Sequence, residues 1–211
     1  MFKIYRDITS GEQIVVGVDT ASGLNDYVAA HFMSKKHLDI PWVYHSPETI
    51  TVFTNKLAEA LNKIYDTTGK RPIVAYERNN GGNFEMDRLA AMNRENKYEI
   101  FKMPEFGKQG AGTSIRLGWD TNTATRPIML QDLKDAVDKM VITIYDKPTI
   151  NEMFAFVKVQ TTNRWKAQAE SGAHDDLIMA LAITFQLYQR LPQDLTDIKI
   201  PKQDFDAYSL E

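Results

Sequence analysis

The run Ile14-Val15-Val16-Gly17-Val18 is apolar or small at every position, with none of the alternation of a strand that faces water on one side. A strand of this kind is buried on both faces, so its sheet must be covered on both sides. The run closes on a carboxylate, Asp19, followed by Thr20, Ala21, Ser22 and Gly23. Two readings of Asp19 are open on this stretch alone. Asp, Thr, Ser and Gly are ordinary turn formers; alternatively, Asp19 stands at a strand tip to hold a cation. The choice depends on whether other carboxylates reach the same point in space.

The pattern along the chain says where they would come from. Residues 26–34 and 38–46 read as two more strands on short turns, which with 13–19 make an antiparallel meander. Ile50, Phe53, Leu57, Leu61 and Ile64 then fall at helical spacing. Ser46 is the expected N-cap of that helix, Pro47 its first position and Gly69 its stop. Residues 71–77 read as a short apolar strand, 83–93 as a helix and 98–103 as a further strand. A strand–helix–strand crossover sets its two strands parallel, most economically 71–77 beside 13–19. Ligand sites in such sheets lie at the carboxyl ends of the strands. Asp19 ends one of these strands and Glu77 the other, so both carboxylates are expected at one edge.

The second half is less regular. Residues 104–124 are rich in Gly, Thr and Asn and too long for a simple connection. Residues 126–140 read as a helix and 141–145 as a strand. Thr149 with Glu152 has the spacing of a capping box. Residues around 154–169 read as a hairpin, and 176–189 as a helix apolar nearly all round and therefore buried. That helix opens on two aspartates, Asp175 and Asp176, behind His174. One Asp is a sufficient N-cap; two in succession exceed what capping needs.

The chemistry available to these acids is narrowed by composition. The 211 residues include no cysteine, which excludes thiolate zinc sites, and His31, His37 and His45 lack ligand spacing. A cluster of carboxylates at a strand edge cannot stay ionised without a compensating cation. Mg²⁺ and Mn²⁺ take oxygen ligands. Two such ions about 3.5–4 Å apart stabilise the attacking and leaving oxygens of an in-line displacement. Asp19 would bridge them, with Glu77 on one ion and Asp175 and Asp176 on the other. Residues 192–211 carry five acids and two lysines against a net charge of −3, so the rest of the chain is neutral. No apolar run has the length of a membrane span, and no signal peptide is visible at the N-terminus.

In order along the chain, "VGVDTASGLND", "VAYERNNGG", "RLGWDTNTATRPIMLQDL" and "ESGAHDDLIMALA" resemble the nuclease domain of tailed-bacteriophage large terminases, over about residues 13 to 190. The resemblance implies an α/β, ribonuclease H-like fold of the resolvase type. Its mixed central sheet, three antiparallel strands followed by parallel ones, is flanked by helices, with a β-hairpin near the site. It implies that Asp19, Glu77 and Asp176 match the metal-binding acids, with Asp175 beside them, Asp176 favoured over Asp175 as the closer ligand, and Asp26 a second acid of the first block. It implies two divalent ions, Mg²⁺ or Mn²⁺. It also implies an endonuclease that cuts concatemeric double-stranded viral DNA during genome packaging, leaving 5′-phosphate and 3′-hydroxyl ends. Implied partners are DNA, an ATPase motor domain of the same full-length protein, the portal and the small terminase subunit, in the host bacterial cytoplasm.

The chain has no GxxxxGK[ST] phosphate loop and is therefore expected to be the nuclease part without the motor. Residues 1–190 are expected to form that domain and 191–211 an acidic tail. Lys108, Arg116, Arg164 and Lys166 are candidate DNA contacts, although solvated loops explain such local excesses of charge equally well. The pair Gly81-Gly82 reads either as a phosphate cradle or as a permissive turn. His174 reads as a metal or water contact or as a packing residue, Trp165 as a stacking or packing residue, and Trp119 as an anchor. Three other readings compete with it: a junction resolvase or ribonuclease H, a nucleotide-binding kinase, and a non-catalytic docking module of a packaging machine. The kinase reading lacks its second phosphate-binding turn. Carboxylates gathered without a role would only destabilise a docking module.

Overall fold

A computed structural model describes residues 1–20, 27–79, 81–105, 114–161, 164–169 and 174–191. Its centre is a six-stranded mixed sheet with strand order β1-β4-β3-β2-β5-β6. The strands are β1 (Phe2–Ile4), β2 (Ile14–Asp19), β3 (Val28–Ser34), β4 (Asp39–Ser46), β5 (Ile73–Tyr76) and β6 (Glu99–Ile100). β2, β3 and β4 form the expected antiparallel meander, and β1, which the sequence reading lacked, pairs with the outer side of β4. β5 lies parallel to β2 in the register Val15↔Ile73 to Val18↔Tyr76, and β6 parallel to β5.

The sheet is covered as the apolar run of β2 requires. Every residue of β2 is buried, and its side chains alternate between two cores. Val16 and Val18 pack with Phe53, Leu57, Leu61 and Ile64 of α1 (Ile50–Thr68) and with Met86 and Leu89 of α2 (Gly82–Met92). Val15 packs on the opposite face with Ala29, Met33 and Ala75 of the neighbouring strands. That face is covered by α3 (Thr125–Asp138) and α5 (Asp176–Arg190), while α4 (Lys147–Ala155) lies against α5. α5 is buried from Asp176 to Leu187, in keeping with its all-round apolar sequence. Two hairpins complete the fold, β7 (Lys102–Glu105) with β8 (Ser114–Leu117), and β9 (Phe156–Thr161) with β10 (Arg164–Ala169). Among the described residues no helix is long and apolar enough to cross a membrane.

Three local expectations are corrected. α1 starts later than Ser46 and Pro47: Thr49 is the N-cap, its hydroxyl accepting from the Val52 amide at 3.4 Å, while Gly69 closes the helix as expected, at φ 71°. Residues 141–145 are not a strand. Thr143 makes one isolated parallel bridge to Asp39, its amide donating to Leu38 O at 2.9 Å and its carbonyl accepting from Ile40 N at 3.0 Å. Thr149 does not cap α4 with Glu152. Asp146 Oδ2 accepts from the Thr149 amide at 2.9 Å, and Glu152 reaches to another helix.

Candidate active site

Asp19 ends β2 and Glu77 follows β5, and the parallel ladder continues one step beyond the assigned strands. The Glu77 amide donates to the Val18 carbonyl at 2.8 Å. On its other side Glu77 is bridged to Trp119, with the Trp119 amide donating to Tyr76 O and the Arg78 amide to Trp119 O, each at 2.8 Å. Trp119, 1% exposed, anchors that segment. The start of α2 is drawn against the same point. A Cβ on Gly82 would sit 1.8 Å from the Glu77 carbonyl oxygen, so only glycine permits the approach. That accounts for Gly82 sterically.

α5 brings the third acid. It lies directly across β2: the Gly17 amide donates to Thr184 Oγ1 at 3.0 Å. Gly17 and Asp19 share a strand face, and the N-terminus of α5, carrying Asp176, approaches Asp19 from that face. Asp19, Glu77 and Asp176 are 6%, 8% and 7% exposed. Burial pushes the Asp19 carboxyl well above the usual range, followed by a hydrogen bond to Glu77 and by the charges of Glu77, Asp176 and Asp175. Thr20 N donates to Asp19 Oδ1 at 3.0 Å, Asn79 Nδ2 to Glu77 Oε1 at 3.3 Å, and Tyr27 N to Asp176 Oδ2 at 3.4 Å. His174 Nδ1 is 3.6 Å from Asp176 Oδ2, with its ring edge-on to Tyr27.

Asp175 differs from its neighbour. It is half-exposed and takes a hydrogen bond from Arg126 Nη2 at 2.7 Å. Glu152 of α4 also comes in. Its Oε2 accepts from the Ile178 amide at 3.0 Å, capping α5 from outside the helix, and its carboxyl is pushed up to about 7 by burial, with Asp176 and Asp175 adding to the rise. Sequence reasoning missed the roles of Arg126 and Glu152. Arg126 stands 49 residues from Asp175, and no sequence period joins them. Glu152 was assigned to its own helix because a capping box is a local pattern.

Among the described residues no three His, Asp or Glu side chains are close enough to form a finished metal cage. The donor set nevertheless fits a hard divalent ion: its donors are carboxylate oxygens, and burial together with the neighbouring acids opposes the charge on Asp19, which a cation would relieve. Of the other candidates, Arg116 stands exposed on β8 opposite Met103, and Arg164 and Lys166 stand on β10 opposite Thr161 and Val159. The side chains of Arg164, Trp165 and Lys166 lie outside the described part of the structure, as do Lys108 and Asp26 entirely. β10 touches α3 and β9 touches α4, so the hairpin rises beside the helices that carry Arg126 and Glu152.

No family model matches the chain, and no curated protein matches it in sequence. Solved structures do. The large terminase nuclease of thermophilic phage G20c with bound cobalt matches with a TM-score of 0.63 at 17% identity, over 90% of this chain and 87% of that one. The large terminase nuclease domain of Thermus phage P74-26 gives 0.66 at 14%, over 89% and 86%. The fold is that of a large terminase nuclease. The human cytomegalovirus terminase nuclease domain, soaked with manganese, is similar at a TM-score of 0.51 and 10% identity, over 92% of this chain and 94% of that one. The terminase-nuclease fold is shared although few residues are.

Proposed function

We propose that this chain is the nuclease domain of a large terminase and hydrolyses phosphodiester bonds of double-stranded DNA with two divalent metal ions, Mg²⁺ or Mn²⁺. The observation that carries the reading is that the buried carboxyls of Asp19, Glu77 and Asp176 come to one edge of the sheet, with Asp19 under the field of Glu77, Asp176 and Asp175. The metals bound to nuclease structures of this fold, cobalt, magnesium and zinc in the G20c enzyme, support it. When bound, the ions would supply an activated water and neutralise charge on the phosphate. Asp19, between the other acids, is the residue to bridge them. Glu77, steadied by Asn79 and by the Trp119 bridge, would hold one ion, and Asp176 with Asp175 the other. Burial makes each carboxylate a stronger ligand than in water, because the alternative is an uncompensated charge in a low dielectric.

On this reading residues 1–190 are the nuclease unit, residues 191–211 an acidic tail, and the substrate is concatemeric viral DNA, cut in the host bacterial cytoplasm. The partners are the ATPase motor domain of the full-length protein, the portal and the small terminase subunit. Lys108, Arg116, Arg164 and Lys166 are the proposed backbone contacts. Nicking of supercoiled plasmid in Mn²⁺ tests the reading. Wild type is expected to nick and Asp19→Ala to leave the plasmid intact; activity surviving in Asp19→Ala overturns the assignment. Preference for an RNA–DNA hybrid or a four-way junction over duplex DNA would overturn the substrate.

A further inference from the structure

The cation already at the site belongs to the protein. Arg126 lies in the first turn of α3, where its amide donates to Asn122 O at 2.9 Å. The turn before it is fixed by Asn122 Oδ1, which accepts from the amides of Ala124 and Thr125 at 2.8 and 3.0 Å, and by Thr125 Oγ1, which donates to Asp120 O at 2.8 Å. This stretch continues directly from Trp119, which is bridged to Glu77, so one short segment ties Arg126 to the acid cluster. Its guanidinium commits Nη2 to Asp175, while Nε is sealed from solvent and has no partner among the described residues.

A buried N–H with no acceptor among the described residues is uncommon, and it leaves the guanidinium with donor capacity that Asp175 does not use. The guanidinium fork, Nε beside Nη2, matches the spacing of two phosphate oxygens. Asp175 is also one of the carboxylates proposed to hold a metal ion, and a guanidinium on its Oδ2 sets a positive charge beside any divalent ion that takes the same carboxylate.

Resting on the nuclease reading above, we propose that Arg126 is a displaceable counter-ion: it and a divalent cation compete for Asp175, and the guanidinium freed from Asp175 grips a DNA phosphate. Metal loading and substrate grip are then coupled through one side chain. Arg126 acts on the metal through Asp175 and is in that respect a positioning residue.

The test reads binding rather than cutting. In calorimetric titration with Mn²⁺, Arg126→Gln is expected to bind the weaker ion about tenfold more tightly than wild type, the size of a lost competing ion pair. In an Asp175→Asn background the same substitution is expected to leave Mn²⁺ affinity unchanged. Duplex-DNA binding followed by anisotropy is expected to have a salt slope steeper by about one in Ca²⁺ than in EDTA for wild type, and equal slopes for Arg126→Gln. Thermal melting of each variant checks that the fold persists, and Arg126→Lys is expected to fall between the two. A wild type that binds Mn²⁺, with an Arg126→Gln isotherm superimposed on it, overturns this inference alone. A wild type that takes up no Mn²⁺ overturns the nuclease reading as well.

Discussion

The two ends of β2 both bury acids, and they treat them in opposite ways. Before the strand starts, Glu12 is fully buried, and Asp39, at the same end of the sheet, is nearly so. Arg6 serves both. Its Nε and Nη2 donate to the two Asp39 oxygens at 2.6 Å, and Nη1 and Nη2 donate to Glu12 at 3.1 and 2.9 Å. Burial works against the Glu12 charge, but Arg6 and Thr9 outweigh it and bring the carboxyl down to about 2. Just before α4, Asp146 is likewise held at about 2 against burial by Tyr5, Thr149 and Lys3. At the far end the charges of Glu77, Asp176 and Asp175 all act against Asp19, and Arg126 donates to Asp175. One fold thus shows what a carboxylate kept for structure looks like, and the acids at the far tip depart from it. Locally unfavourable electrostatics with no structural return is the mark of a functional site.

The comparison can be broken by experiment. The largest effect on stability is expected from Arg6→Ala, which strands two buried carboxylates and should cost about 3 kcal/mol or more in urea unfolding; a cost near zero would show that the two ends are not different in kind. Acid is expected to act next. Glu12 has an ordinary pKa of 4.5 and a folded one of about 2, so its contribution is present above 4.5 and lost as pH falls towards 2, and Asp146 behaves alike from 3.8. Denaturant midpoints should therefore drop between pH 5 and pH 2 on the scale of that window, and Arg6→Ala should flatten the drop. The Asp19 end should respond to ions instead, if the proposed function holds: Mn²⁺ at about a hundred times its dissociation constant is expected to stabilise wild type by about 2.7 kcal/mol. That rise in melting temperature should vanish in Asp19→Ala. The smallest effect is the most discriminating. Asp19→Asn, measured in EDTA, is expected to raise stability by about 1 kcal/mol, because it removes a charge that burial and the neighbouring acids both oppose. Destabilisation there would place Asp19 among the structural acids.

Much of this was legible in the chain because it is written locally. The unbroken apolar run of β2, the helical spacing from Ile50 to Ile64 and the crossover to β5 were enough to put Asp19 and Glu77 at one edge. The doublet at Asp175 and Asp176 was noticed because it exceeded what capping requires. What escaped was long-range. Arg126 and Asp175, or Glu152 and Ile178, meet only through the packing of α3 and α4 on α5, and no sequence period records such a meeting. The error at 141–145 has the same origin. Alternating Val, Thr and Tyr satisfy strand preference, but the neighbouring helices decide the backbone there.

Gly17 has no chemistry of its own, yet it sets a length. A single methyl group there would lie 2.4 Å from the Thr184 amide and 2.6 Å from the Ala180 carbonyl, so α5 would have to lift off the sheet. Asp19 rides on the strand and Asp176 on the helix. The gap between two acids is therefore calibrated by one hydrogen atom far from either, and a variant at Gly17 could look like an active-site lesion while every carboxylate remained in place.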